Sequence, residues 1–179
     1  MSGIVQIRLG GLGGQGIVLA GILLGHAGII DGRWVSGANS YGAQARGSAC
    51  KAEVILSEEP VDFPHVLEVD ILVAMFQNAY EQFVKDLKNS GLVIFDKQLV
   101  KPGDSTQVHQ PIPATEVAIH EIGNKQVANI VMLGALTALT HVVSKESIEA
   151  AIMEHIPTRF RKINLRAVKT GYKLVTDSR

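Results

Sequence analysis

Apolar residues come in short blocks separated by glycine or polar stretches, and the blocks change period along the chain. Ile4, Val5, Ile7 and Leu9 form a β-rich run, and Gly10 to Gly16 then place five glycines in seven positions. Apolar residues resume on all sides of a segment from Gln15 to Ile30, which predicts strand, glycine loop and helix in that order. A helix apolar all round predicts burial against both a sheet and a second element or subunit. Asp31-Gly32 ends it, glycine supplying the left-handed conformation common after a C-cap.

Trp34-Val35-Ser36 reads as a short second strand, Gly37 to Gly47 as a polar loop, and Ala49 to Leu56 as a strand again. Asp70 to Phe76 and Leu92 to Phe95 are runs of the kind found in buried parallel strands. Between them Ala79, Phe83, Val84 and Leu87 mark one face of a helix bounded by Asn78 and Gly91. Pro102 to Pro113 is loop-like. Asn124 and Ser144 are placed to cap helices over Lys125–Val143 and Lys145–His155, and an amphipathic segment covers Asn164–Val175. The alternation predicts an α/β fold, Rossmann-like and doubly wound, with a mainly parallel sheet and a helical C-terminal third. Residues 1–179 read as a single domain.

Composition narrows the function. With 46% hydrophobic and 19% charged residues the chain buries a real core, and seventeen bases balance seventeen acids. Net neutrality and 5% aromatics argue against nucleic-acid binding. The longest apolar stretch, Ile17–Ile30, is too short for a bilayer and carries His26. No basic segment opens the chain, and a cytoplasmic protein is expected.

Catalytic and metal patterns are missing. The lone Cys50 excludes a disulfide framework and a self-contained iron–sulfur cluster, and reads as a small buried hydrophobe. Six scattered histidines show no metal-ligand spacing, and His26 reads as a hydrogen-bonded core residue. There is no nucleophile elbow and no Walker lysine.

Two loops carry chemistry. Gly11, Gly13 and Gly16 satisfy G-x-G-x-x-G between a strand and a helix, where backbone amides attract phosphate. A dinucleotide site also wants an acid after the second strand, but Ser36-Gly37-Ala38-Asn39 stands there and Asp31 precedes that strand. The same glycines also suit close helix–strand packing with no ligand, and both readings stay open. The loop Ser40 to Ser48 carries Arg46 among small residues, which suits phosphate or carboxylate recognition or a surface ion pair. Six acids without a base from Glu53 to Asp70, and seven bases with one acid from Arg159 to Arg179, fit solvated faces or docking to other chains.

Three stretches together carry a resemblance: GLGGQGIVLAG at Gly11–Gly21, SYGAQARGSACKAEVILSEEPVDFP at Ser40–Pro64, and EIGNKQVANIVMLGAL at Glu121–Leu136. In these the chain resembles the gamma subunit of 2-oxoacid:ferredoxin oxidoreductases, of the 2-oxoglutarate:acceptor subtype, over essentially its whole length. It departs where the family commonly has R-G-G, reading Arg46-Gly47-Ser48. The resemblance implies an oxidative decarboxylation in which 2-oxoacid, coenzyme A and oxidised ferredoxin give acyl-CoA, carbon dioxide and reduced ferredoxin. It puts thiamine diphosphate and iron–sulfur clusters on alpha, beta and in some enzymes delta subunits. To this chain it gives assembly and coenzyme A contact, through Gly11, Gly13, Gly14, Gln15 and Gly16 with Tyr41 and Arg46. It implies no catalytic residue and no metal ligand here. A purely structural subunit, a freestanding nucleotide binder, and the equivalent subunit of a pyruvate, ketoisovalerate or indolepyruvate enzyme are the alternatives. The apolar helices predict a homodimer when the chain is isolated.

Overall fold

The computed structural model describes residues 3–40, 49–63, 65–103 and 107–177. Its centre is a six-stranded sheet of order β2-β3-β1-β4-β5-β6, from β1 (Val5–Leu12), β2 (Trp34–Ser40), β3 (Ala49–Ser57), β4 (Val69–Ala74), β5 (Leu87–Asp96) and β6 (Val108–Ile112). β1, β4, β5 and β6 pair in parallel, and β3 runs antiparallel to both β1 and β2. Only β3 opposes the rest. The sheet is therefore mainly parallel, as expected, with one strand reversed because β2 and β3 are consecutive and antiparallel.

Helices cover both faces. On one side lie α1 (Ile17–Ile30), α4 (Ala128–Thr140), α5 (Lys145–His155) and α6 (Thr158–Thr176), sharing a core with Ile7, Leu9, Ile71, Val73 and Ile94. On the other, α2 (Gln77–Phe83) buries Ala79, Tyr80 and Phe83 against Leu72, Val93 and Phe95. A short α3 (Ala114–Val117) runs into a π-turn over Ala118–Ile122. Each large side chain removed from water contributes about 1.5–3 kcal/mol, and Leu23, Leu24, Ile130, Leu133 and Leu136 are almost wholly enclosed.

Several boundaries differ from the pattern's expectation, each for a tertiary reason. β2 continues through Gly37–Ser40, which the small polar residues mark as loop, because those backbones pair with Val54 to Lys51. The helix after β4 stops at Phe83, and Leu87 pairs with Val69 in β5 instead of completing a helical face. Val108–Ile112 forms an edge strand where prolines suggest loop, the position at which a sheet tolerates Pro111. α4 ends at Thr140 because His141 turns left-handed at φ 51°, and α6 begins six residues before Asn164, directly after Pro157.

α1 also differs. It packs on the sheet and on α5, yet Ile22, Ile29 and Ile30 stay exposed on the side toward the β2 edge. His26 shares that side, is half-buried and bonds to Glu154, so it is not a core histidine. Cys50 is buried in β3 as expected, and burial pushes its thiol up from the ordinary value.

One buried charge inside the sheet is fully accounted for. Arg8 in β1 stands opposite Glu53 in β3, to which its Nε donates at 2.9 Å. It also pairs with Asp86 and lies over the Phe83 ring, while Lys51 reaches the same Glu53 oxygen at 2.8 Å.

Candidate functional site

The order of the strands locates a crevice. From β1 the chain crosses through α1 to one side of the sheet and later resumes at β4 on the other side, so the direction of winding reverses between β1 and β4. Open α/β sheets bind ligands outside the carboxyl ends of the strands at such a point. Here those ends are Leu12 and Ala74, and the glycine loop bridges them to α1.

The loop's residues divide by role. Gly11 lies in β1 opposite Cys50, and a side chain there would run into Gln15 Oε1 and Ile17. Its absence of a side chain serves internal packing. Gln15 folds back across it, Oε1 accepting from the Leu12 amide at 2.6 Å and Nε2 donating to the Met75 carbonyl at 3.0 Å. That one side chain clamps the end of β1 to the end of β4. Gly13 and Gly14 are exposed at the turn. Gly14 has φ 95°, which strongly favours glycine, and open space where its side chain would stand. Gly16 caps α1 in the left-handed conformation and has no side chain with which to satisfy the first-turn amides.

A second wall comes from the chain before α4. Gly123 turns the backbone at φ 83°, and Asn124 Oδ1 accepts from the Gln126 amide at 2.9 Å, shaping a 3₁₀ turn over Lys125–Val127. Buried Asn129 then joins the two walls. Its Nδ2 donates to the Gly16 carbonyl at 2.9 Å, and its Oδ1 accepts from the Ile130 amide. A third contribution starts at the buried Asp96 carboxylate ending β5, which accepts from the Thr115 amide at 2.8 Å and holds the start of α3 in place.

Together these elements enclose a cavity of about 160 Å³ lined by Gly14, Gln15, Met75, Thr115, Lys125, Gln126 and Ala128. Its lining carries one cation and no carboxylate. Such a volume holds a phosphate-sized group, not a whole nucleotide, since drug-sized ligands need about 300 Å³ or more. An anion there meets Lys125 and lies at the amino end of α1, where the peptide dipoles favour negative charge.

Of the residues singled out from the sequence, Gly14 and Gln15 line this cavity, Gly16 sits behind it, Gly13 lies at its turn, and Gly11 is internal. Tyr41 and Arg46 lie outside the described residues. The strands flanking them are informative: Ser40 stands opposite Lys51, and Ala49 opposite Leu12. The connection carrying Arg46 thus starts and ends at the sheet edge where β1 ends, although β3 intervenes between β1 and β2. Lys125, Gln126, Thr115 and Asn129 escaped the sequence reading. The available signal was the cap Asn124 followed at once by a lysine at a helix start.

A family model described as pyruvate ferredoxin/flavodoxin oxidoreductase matches residues 6–174. The chain belongs to this family. The 2-oxoglutarate synthase subunit KorC of Methanocaldococcus jannaschii is 46% identical over 176 residues, covering 96% of this chain and 94% of that protein. A solved keto/oxoacid ferredoxin oxidoreductase gamma subunit from Geobacter sulfurreducens superposes with a TM-score of 0.86 at 36% identity, covering 97% of this chain and 99% of that one. The 2-oxoglutarate:ferredoxin oxidoreductase of Magnetococcus marinus, solved with 2-oxoglutarate, coenzyme A and succinyl-CoA bound, matches with a TM-score of 0.89. That match has 23% identity and covers 99% of this chain but 32% of the other, so it speaks for the fold alone. The chain has one cysteine, Cys50, and it is buried. No helix among the described residues is long and apolar enough to cross a membrane.

Proposed function

We propose that this chain is the gamma subunit of a 2-oxoglutarate:ferredoxin oxidoreductase and holds a phosphate of coenzyme A in the cavity between the glycine loop and Lys125. The subunit assignment is supported by 46% identity along nearly the whole of KorC. The ligand assignment rests on one observation: the cavity at the switch point is lined by one lysine among uncharged residues, without an acid. Coenzyme A supplies the thiol that takes up the acyl group. In this chain Gly14 leaves room for close approach, Lys125 neutralises the phosphate, and Gln15 and Asn129 hold the two walls in register. Thiamine diphosphate and the iron–sulfur clusters reside on the alpha, beta or delta subunits, and electrons leave to ferredoxin through the assembled complex. The exposed Ile22, Ile29 and Trp34 provide apolar surface for assembly, with other subunits or a second copy.

The test is kinetic. Losing a charge-assisted phosphate contact costs about 1.5–3 kcal/mol, roughly ten- to hundredfold in affinity. In the assembled enzyme Lys125→Ala should raise the Michaelis constant for coenzyme A by that factor and leave that for 2-oxoglutarate unchanged. An unshifted coenzyme A constant would remove the ligand reading and leave an assembly subunit.

A further inference from the structure

The helical layer brings together three donor groups that the sequence keeps far apart. His26 lies midway along α1, while Glu154 and His155 close α5. His26 Nε2 is 2.6 Å from Glu154 Oε2, and the His26 and His155 rings meet edge-on with centroids 4.2 Å apart. One ligand atom from each of the three residues lies within 4.8 Å of the other two. We propose that His26, Glu154 and His155 form a binding site for one divalent first-row transition ion, with zinc the best fit.

The donor set carries the argument. Two imidazoles and a carboxylate suit zinc, and three protein ligands leave a coordination position open. With ligand bonds of about 2.0–2.2 Å, tetrahedral donors stand about 3.3–3.6 Å apart. The three side chains therefore close on an ion through rotamer adjustments of about an ångström. Glu154 and His155 are exposed and free to make them. A plain ion pair explains less. Glu154 needs only His26 for that, which leaves the His155 ring packed edge-on at 4.2 Å without a role.

Two further features favour a cation here. His155 is the last residue of α5, and a helix's carbonyl end carries partial negative charge. Beside the cluster runs a groove of about 310 Å³ lined by Gly21, Ile22, Gly25, Ile29 and Val35 together with both histidines. The groove admits water or one further donor to the open position. A bound ion would cross-link α1 to α5, tying the glycine-loop helix to the helical C-terminal third. This site is separate from the cavity assigned to coenzyme A.

Calorimetric titration of the purified full-length chain with zinc should show one ion bound per chain. His26→Gln, Glu154→Gln and His155→Gln should each weaken binding about tenfold or more, since even groups that merely support metal ligands cost that much. His120→Gln, at an exposed histidine elsewhere, should bind as the parent does. Cobalt should give visible ligand-field bands in the parent that the three variants lose. Glu154 is exposed, so its variant folds regardless and keeps the test decisive. No saturable zinc binding, or binding that survives all three substitutions, would overturn the proposal.

Discussion

Glycine sits at two crossings in this molecule and does opposite things there. Where α4 meets α6, the positions that side chains of Gly134 and Gly171 would take are already filled by backbone. For Gly134 this is the Val168 carbonyl and the Tyr172 amide, and for Gly171 the Val131 carbonyl. At the glycine loop, the corresponding space at Gly14 is open and borders the cavity. The first arrangement brings two helix backbones into direct contact and is finished within the chain. The second leaves backbone accessible to something outside it. A glycine-rich segment by itself does not distinguish the two, and the neighbours of the missing side chain do.

Breaking the first crossing should have the largest effect. Gly171→Ala must push α6 off α4 and should cost about 3 kcal/mol of stability, read from denaturant unfolding. Gly134→Ala should behave alike, and the double variant should lose less than the sum because one displacement relieves both clashes. Additive losses would mean that the two contacts are independent. Next comes Asn129, which connects the two regions. Asn129→Ala removes one of two donors to the Gly16 carbonyl, which keeps the Ala20 amide, and should cost up to about 1.5 kcal/mol. It should also weaken coenzyme A binding, because the same contact ties the start of α4, one turn after Lys125, to the glycine loop. Unchanged binding would separate the two walls.

Gly14→Ala sharpens the contrast from the other side. It meets no neighbour, so its stability cost is confined to the left-handed backbone, about 1–2 kcal/mol. Its effect on coenzyme A affinity should exceed any effect of Gly171→Ala in the molecules that remain folded. Equal affinities for the two variants would argue that the loop glycines also serve packing alone.

The smallest effect is electrostatic and lies at the far end of α1. Burial favours the neutral form of Asp31, but hydrogen bonds from the Ser147 hydroxyl and from the Ser144 amide and hydroxyl outweigh it. They hold the carboxyl below its ordinary value of 3.8. This stabilisation is present above that ordinary value and is lost as pH falls through the lowered native one. Because Asp31 is largely exposed, Asp31→Asn should cost less than about 1 kcal/mol at neutral pH. The gap to the parent should narrow below about pH 4, as thermal melts across pH would show.

Much of the architecture was readable along the chain, because burial on one or both faces imposes a period on the residues themselves. The runs at Ile4–Leu9, Asp70–Phe76 and Leu92–Phe95 mark central strands, and Asn124 and Ser144 mark helix starts. Edges were less legible. Gly37–Ser40 and Val108–Ile112 carry little apolar pattern, and they are strands because a neighbouring strand offers its backbone to them. Pairing of that kind leaves no periodic trace when neither face is fully buried.

The candidate site divides along the same line. The sequence by itself determined the single cysteine and the glycine loop between β1 and α1. Tertiary structure decided which glycine faces open space, that Gln15 and Asn129 are braces, and that Lys125 lines the cavity. It also decided that His26 meets Glu154, 128 positions away in sequence, and His155 beside it. The physical reason is range. Backbone conformation and local amphipathicity are set within a few neighbouring residues, whereas a cavity's walls and a cluster's donors are set by which helices the sheet order brings together.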